Sequence, residues 1–459
     1  MQTFDVIVIG CGQGGTPLAK KLAKAGLKTL IVEKRMVGGT CTNDGCTPAK
    51  AMIASGKRAH SIRHSEELGI HSGECRIDFK KIKERKDGIV TRFRKAAEKG
   101  VESIPDLTLL MGEARFSAPK VVVVKTEAGE ETFTAEHIFI STGTTHSIPS
   151  IPGLDTIPYL TSTTLLDIEE IPEHLVILGG GYIALEFGQL FRRLGSQVTL
   201  IDKEKDFMSR EDDDIAGAMK KILEEEGIRI HTHAEVQRVA STERGFTLTL
   251  RQEEKEQTLT GSHLLVATGR KPQTAALQTD QAGIEMDEEG YIKVDEYLQT
   301  KTPGVYALGD VKGGPAFTHI AYNDHLILLK KILHGQLISI KDRPLPYTMF
   351  TDPQLGRIGI TEKEARSQGL NILVATLPME KTARGIETGE TLGLMKAVVD
   401  ADTRQVLGAA ILAAEGGEVV SILQMAMAGN IPYDAIREMI FAHPLYAESL
   451  NNLFMTLEP

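Results

Sequence analysis

The chain has 459 residues, of which 41% are hydrophobic and 25% charged, with a formal net charge of −10. That length is too great for one core and points to two or three domains of an ordinary globular protein. The acidic balance argues against nucleic acid and anionic membranes as partners. No apolar run is long enough to span a bilayer, and the opening residues lead straight into a strand with no basic leader, so a cytoplasmic protein without a signal peptide is expected.

Residues 4–9, Phe-Asp-Val-Ile-Val-Ile, form a nearly continuous apolar run, as a strand buried on both faces requires. Gly10-Cys11-Gly12-Gln13-Gly14-Gly15 follows at once and matches G-x-G-x-x-G. Leu18, Ala19, Leu22 and Ala23 then recur at helical spacing, and residues 28–32 make a second strand that ends at Glu33. In this order the pattern is a dinucleotide site. Gly10, Gly12 and Gly15 let the backbone approach a pyrophosphate at a helix N-terminus, and Glu33 accepts from a ribose hydroxyl.

Residues 38–50, Gly-Gly-Thr-Cys-Thr-Asn-Asp-Gly-Cys-Thr-Pro-Ala-Lys, place Cys41 and Cys46 beside that site. A thiol near a helix start and a cation gains thiolate character. Pro48 suits a first helical turn and Lys50 lies within reach. A redox-active dithiol is the leading reading. A structural disulfide is disfavoured in a chain of four cysteines with no secretory feature. Half of a metal site is disfavoured because Cys11 and Cys75 lack a paired spacing and no histidine is near. Residues 74–103 read as a solvated, charged helix with Ile82, Ile89 and Phe93 on one face, and Val121–Val124 as a hairpin strand.

The nucleotide pattern recurs further on. Leu175–Leu178 is a strand, Gly179-Gly180-Gly181-Tyr182-Ile183-Ala184 carries the fingerprint with alanine last, a helix follows to Leu194, and residues 198–201 make the next strand before Asp202. Two such units imply two dinucleotides, the first tightly bound and the second exchanging. Asp202 favours NADH, because a carboxylate there repels the 2′-phosphate of NADPH; Lys203 and Lys205 are the residues able to offset it. Phe246–Leu250 reads as another hairpin strand. From Tyr347 onward, strands at 393–399 and 406–412 precede helical stretches at 418–428 and 434–439. His443, followed at five positions by Glu448, is a candidate acid–base pair for a leaving thiol.

With these residues in hand, the chain resembles the pyridine nucleotide–disulfide oxidoreductases, the family of glutathione reductase, dihydrolipoamide dehydrogenase and mercuric reductase. Ser141-Thr142-Gly143, Ala267-Thr268-Gly269-Arg270, Val305–Asp310 and His443–Glu448 extend the resemblance over nearly the whole length. Lys381–Arg384 and Gly389–Lys396 bring it nearest to mercuric-reductase-like and dihydrolipoamide-dehydrogenase-like members. Thr42, Thr47-Pro48-Ala49, Leu445-Tyr446 and the lack of a cysteine pair near Pro459 are departures.

The resemblance implies an α/β fold with two doubly wound, Rossmann-like domains and a C-terminal α+β dimerisation domain. The divisions are an FAD-binding part at 1–150, an NAD(P)-binding domain at 151–270, a second FAD-binding part at 271–337 and an interface domain at 338–459. It implies FAD and NAD(P)H as cofactors, with Glu33, Thr40, Thr142, Gly143, Gly269 and Asp310 on the cofactor side. Cys46 would face the flavin, giving a charge-transfer complex when reduced, and Cys41 would exchange with substrate. Lys50 would pair with Glu186 near the flavin, and Tyr182 would cover the flavin until nicotinamide arrives. His443 and Glu448 would serve the neighbouring subunit of a homodimer. Electrons would pass from NAD(P)H to the Cys41–Cys46 disulfide and on to a disulfide or metal-ion acceptor. A dihydrolipoamide dehydrogenase, or a redox-sensing flavoprotein without turnover, are the alternatives.

Overall fold

In the computed structural model, residues 1–253, 255–341 and 343–457 are described. The chain divides into two compact units, one of Met1–Ala51, Lys83–Ile148 and Gly269–Arg343, the other of Met52–Ile82, Pro149–Thr268 and Pro344–Pro459.

The first unit is built on a seven-stranded sheet. Gln2–Ile9 lies between Thr29–Glu33 and Gly129–Ile140, parallel to both; Leu107–Met111 extends the parallel side, and Val121–Thr126 and Glu113–Ala118 complete the other as an antiparallel meander. Val305–Ala307 also pairs with Gly129–Ile140. Val6, Ile7 and Val8 are fully buried, because layers cover both faces of the sheet. The helix Gly15–Lys24 packs Leu18 and Leu22 into one of these layers, and the Val101–Leu107 stretch joins the same core. The first strand has parallel neighbours on both sides, so its C-terminal end is where a doubly wound sheet opens a ligand crevice.

The charged helix is found at Phe79–Glu102, with a face different from the one expected. Phe93 is 45% exposed, whereas Lys86, Val90 and Val101 are buried and Ala97 packs on the core. The buried stripe runs one register away from Ile82, Ile89 and Phe93. It includes a lysine whose ammonium meets Asp87 at 2.6 Å, so hydrophobicity alone misjudged the phase.

The second unit holds a parallel sheet in the order Arg229–His231, Gln197–Ile201, His174–Leu178, His263–Val266, and an antiparallel sheet of Ala234–Thr242, Gly245–Gln252 and Lys255–Gly261. Its C-terminal part is a five-stranded antiparallel sheet, ordered Tyr347–Met349, Gln354–Gly359, Val406–Ala413, Leu394–Asp400, Ile372–Pro378. The helices Gly416–Ala428 and Ser449–Met455 pack on it through Val419, Leu423, Leu450 and Phe454. Lys396 on the fourth of these strands is buried among the carboxylates of Asp212, Asp214 and Glu362, at 3.3, 2.9 and 2.7 Å. Among the described residues, no helix is long and apolar enough to cross a membrane.

Candidate active site

The first glycine turn is shaped by close backbone approach. Gly10 has φ +107°, and a Cβ there would stand 2.4 Å from the Ser141 carbonyl oxygen; a Cβ on Gly15 would stand 2.1 Å from that of Gly10. Gly12 is different, because a Cβ there would meet nothing within 4 Å. The space in front of it at the start of the Gly15–Lys24 helix is open, as a bound pyrophosphate requires. Glu33 closes the second strand beside this turn, its two oxygens accepting from the amides of Cys11 and Arg35, each at 2.8 Å. A carboxylate has further lone pairs for ribose hydroxyls.

Two more features mark the crevice as a cofactor site. The Thr142 hydroxyl is buried with no hydrogen-bond partner, the kind of orphan a ligand satisfies. Asp310 accepts from the Thr144 hydroxyl at 3.0 Å, and that hydroxyl accepts from Arg270 Nε at 2.8 Å. Burial raises the Asp310 pKa, with the Thr144 bond and Arg270 opposing it. Gly143 and Gly269 have φ of +67° and +127°, and each faces open space. The residues present therefore fit an adenine dinucleotide such as FAD.

The dithiol is seated directly on this turn. A Cβ on Gly39 would lie 2.7 Å from the Gly12 Cα, so the short helix Gly39–Asn43, which carries Thr40 and Cys41, abuts the phosphate loop. Asn43 Nδ2 ties that helix down through the carbonyls of Val37 and Gly39, at 3.0 and 2.9 Å. Cys46 is the first residue of the helix Cys46–Arg63, as the Pro48 reading requires, and Lys50 follows one turn later. Both cysteines are free thiols, Cys46 exposed and Cys41 partly buried. The Cys41 thiol is pushed far up, first by its hydrogen bond to Cys46 and then by burial, with Thr318 and Lys50 pulling the other way.

Sequence reasoning missed Thr318, whose hydroxyl lies 3.3 Å from Cys46 Sγ. Thr318 opens the helix Thr318–His334 and is 272 residues from its sulfur partner, so no local spacing could have flagged it. The Thr144–Arg270 relay was missed for the same reason.

In the second unit the other fingerprint repeats the geometry. Gly179 has φ +111°, with a Cβ position 2.5 Å from the Ala267 carbonyl oxygen; Gly181 faces open space and precedes the helix Tyr182–Leu194. Asp202 lies under the turn, its Oδ2 only 2.0 Å from where a Gly180 Cβ would be. Burial raises its pKa, and its other oxygen accepts from the Glu204 amide at 3.2 Å. Lys203 and Lys205 are exposed. Glu186 is buried on the same helix and accepts from the Phe350 amide at 2.9 Å.

His443 and Glu448 are brought together: Nδ1 lies 2.9 Å from both carboxylate oxygens. That contact raises the His443 pKa, the hydrogen bond ahead of the charge. It also fixes the ring with Nδ1 protonated, leaving Nε2 to exchange a proton. The His443–Pro444 peptide is cis, and Tyr446 between the pair bonds the Thr388 hydroxyl at 2.6 Å. Near the pair in sequence, Met439, Ile440 and Leu445 are exposed by 44%, 98% and 46%.

Comparison with known proteins gives these arrangements a family. Residues 4–324 match a profile described as pyridine nucleotide-disulphide oxidoreductase, and residues 345–454 match the dimerisation domain of the same family. The chain is 36% identical over 458 residues to the probable pyridine nucleotide-disulfide oxidoreductase RclA of Escherichia coli strain K12, covering 99% of each chain. It is 32% identical to the mercuric reductase of Bacillus cereus, over 99% of this chain and 72% of that one. Among solved structures, a Cu(II) complex of the HOCl-induced flavoprotein disulfide reductase RclA from Escherichia coli superposes with a TM-score of 0.91, at 35% identity and full coverage of both chains. The two nucleotide cradles, the thiol pair between the phosphate turn and Thr318, and these likenesses agree: the chain belongs to the pyridine nucleotide-disulphide oxidoreductase family and is a flavoprotein oxidoreductase that uses NAD(P)H and acts on sulfur.

Proposed function

We propose that the enzyme takes electrons from NADH in preference to NADPH and delivers them through the Cys41–Cys46 pair to a disulfide or a metal ion. The observation that carries this reading is the dithiol itself, hydrogen-bonded within the pair and to Thr318 and seated against the Gly12 turn. FAD, when bound, supplies the two-electron chemistry between nicotinamide and sulfur. Glu33, Thr40, Thr142, Gly143, Gly269 and Asp310 would hold it beside the pair, while Gly179, Gly181, Tyr182 and Asp202 would receive the nicotinamide dinucleotide. Lys50, one turn after Cys46, would supply positive charge near the flavin. The half-buried carboxylate of Asp202 supports the NADH preference, because a 2′-phosphate would face it directly.

Cys46 carries the thiolate next to the flavin and Cys41 is the exchanging sulfur. After reduction, Cys41 passes its proton to His443 Nε2 and attacks one sulfur of an acceptor disulfide. The bond between the acceptor sulfurs breaks, and His443 Nε2 protonates the departing thiolate. Cys46 then displaces the second acceptor thiol and reforms the Cys41–Cys46 disulfide, so two electrons leave for the two taken from NADH. A metal-ion acceptor is supported by the Cu(II) held in the RclA structure and by the mercuric reductase relative. The exposed apolar residues around His443 suit a homodimer in which each histidine serves the partner's cysteines. We place the enzyme in the cytoplasm, where such thiols stay reduced, and divide it into the FAD-binding, NAD-binding and interface domains set out above.

Anaerobic titration of the yellow protein with NADH, followed in the visible, tests the scheme. A long-wavelength absorption band that disappears in Cys46→Ser is expected. Bleaching without the band in the unaltered enzyme would disconnect the dithiol from the flavin. A band with NADPH alone would overturn the reading of Asp202.

A further inference from the structure

Asp324 lies in the second turn of the Thr318–His334 helix and is completely buried. A buried carboxylate must be paired and hydrogen-bonded to be tolerated. Its Oδ2 accepts from the Gly309 amide at 2.9 Å and faces Lys312 Nζ at 3.5 Å; its Oδ1 meets Arg343 Nη1 at 2.8 Å. Gly309 begins the tight turn Gly309–Lys312 that carries Asp310. It has φ +70°, and a Cβ there would press on the Ala321 side chain at 3.0 Å. The turn is thus held to the helix by the Asp324 hydrogen bond, at a place where Ala321 leaves too little room for a side chain at 309.

We propose that Asp324 is a positioning residue for FAD, acting through the Gly309 amide to fix the turn from which Asp310 reaches the cofactor. The inference rests on the reading of Asp310 as an FAD ligand. Asp310 has a second constraint on its side chain, the Thr144 hydroxyl, so Asp324 supplies the one the backbone needs. Lys312 and Arg343 neutralise the Asp324 charge and set its orientation. The same helix presents Thr318 to Cys46, so one rigid element registers both the reactive sulfur and the FAD-binding turn.

Two variants separate the roles of Asp324. D324N keeps an oxygen to accept from Gly309 but loses the charge; D324L loses both. Both leave Lys312 and Arg343 unneutralised, so both should destabilise the deflavinated protein in urea, D324L the more because it also loses the Gly309 bond. Their FAD dissociation constants, measured by fluorescence titration of deflavinated protein, should diverge. D324L should weaken on the order of tenfold to a hundredfold, the worth of a hydrogen bond to a charged acceptor, and D324N by no more than about threefold. Unchanged affinity in D324L, or equal loss in the two, overturns the proposal. D310N guards its premise: unchanged affinity there overturns the Asp310 reading, whereas a weakened D310N beside an unchanged D324L overturns the Asp324 role alone. Should D324L not fold, hydrogen exchange at Gly309 decides. Protection in both the unaltered holoenzyme and D324N is expected, and an unprotected amide in the unaltered enzyme overturns the clamp.

Discussion

At the scale of single residues, the proposed chemistry uses groups whose proton affinities are raised by a near neighbour. Cys46, with burial, raises that of Cys41, and Glu448 raises that of His443. If His443 donates the proton to the leaving thiolate, turnover falls as pH rises through its pKa, and Glu448 keeps that limb at higher pH. Glu448→Gln should therefore move the alkaline limb of the pH profile for acceptor reduction to lower pH, with NADH-driven flavin reduction unchanged. An unmoved limb would remove Glu448 from this role. These residues were legible in the sequence to unequal degrees. Gly10 and Gly179 announce themselves because only glycine is at ease at φ values of +107° and +111°, and Cys41 and Cys46 because their spacing is local. Thr318, Thr144 and Asp324 were illegible because each is an ordinary residue type whose meaning comes from a partner brought near by the fold.

At the scale of elements, the strands and helices of the nucleotide folds follow the apolar runs closely, since strands covered on both faces have no polar alternation to obscure them. The Phe79–Glu102 helix was found but turned wrongly, because the stem of Lys86 replaces an apolar residue in its buried stripe. A similar polar insertion holds the C-terminal sheet. Lys396 joins its strand to Asp214 on the helix Asp213–Glu225, to Asp212 just before it and to Glu362 on the helix Glu362–Ser367. Lys396→Met leaves those carboxylates facing one another. Breaking a buried pair costs about 3–5 kcal/mol, and the lower end applies because Asp214 is 40% exposed. Urea unfolding should show a loss of about 3 kcal/mol. The pKa of Glu362 is lowered, chiefly by its bond to Lys396. Burial would raise that of Asp212, but the amides of Lys363 and Glu362, with Lys396, bring it below its ordinary value. Depressed carboxyl pKa values give stability that is present above the unfolded values and lost as pH falls through the folded ones. The enzyme should therefore weaken below about pH 4, and Lys396→Met should blunt that acid dependence.

At the scale of the whole molecule, the proposed sharing of the site between subunits makes a prediction no single subunit can satisfy. Cys46→Ser and His443→Ala homodimers should each be inactive in acceptor reduction. Unfolded together and reassembled in equal amounts, they should recover about a quarter of wild-type activity, since half the dimers are mixed and each mixed dimer has one intact site. No recovery, with mixed dimers demonstrated by mass, would put Cys46 and His443 to work within one subunit. The sequence indicated such sharing only by resemblance, because an interface is a property of two copies; in one chain the proposed interface has only exposed residues such as Met439, Ile440 and Leu445 to offer.

The open space in front of Gly181 allows the enzyme to be cut functionally in half. Its φ is −76°, a backbone any residue adopts, and no atom lies within 4 Å of a Cβ placed there. A valine at that position would settle without strain and protrude where the incoming dinucleotide's phosphates belong. Gly181→Val should be purified yellow and fully folded yet remain unbleached by NADH, while dithionite still reduces it and acceptor turnover then proceeds. Bleaching by NADH at the wild-type rate would refute this. An oxidoreductase deaf to its own donor would let the sulfur half of the cycle be timed alone, and candidate acceptors be ranked without competition from nicotinamide.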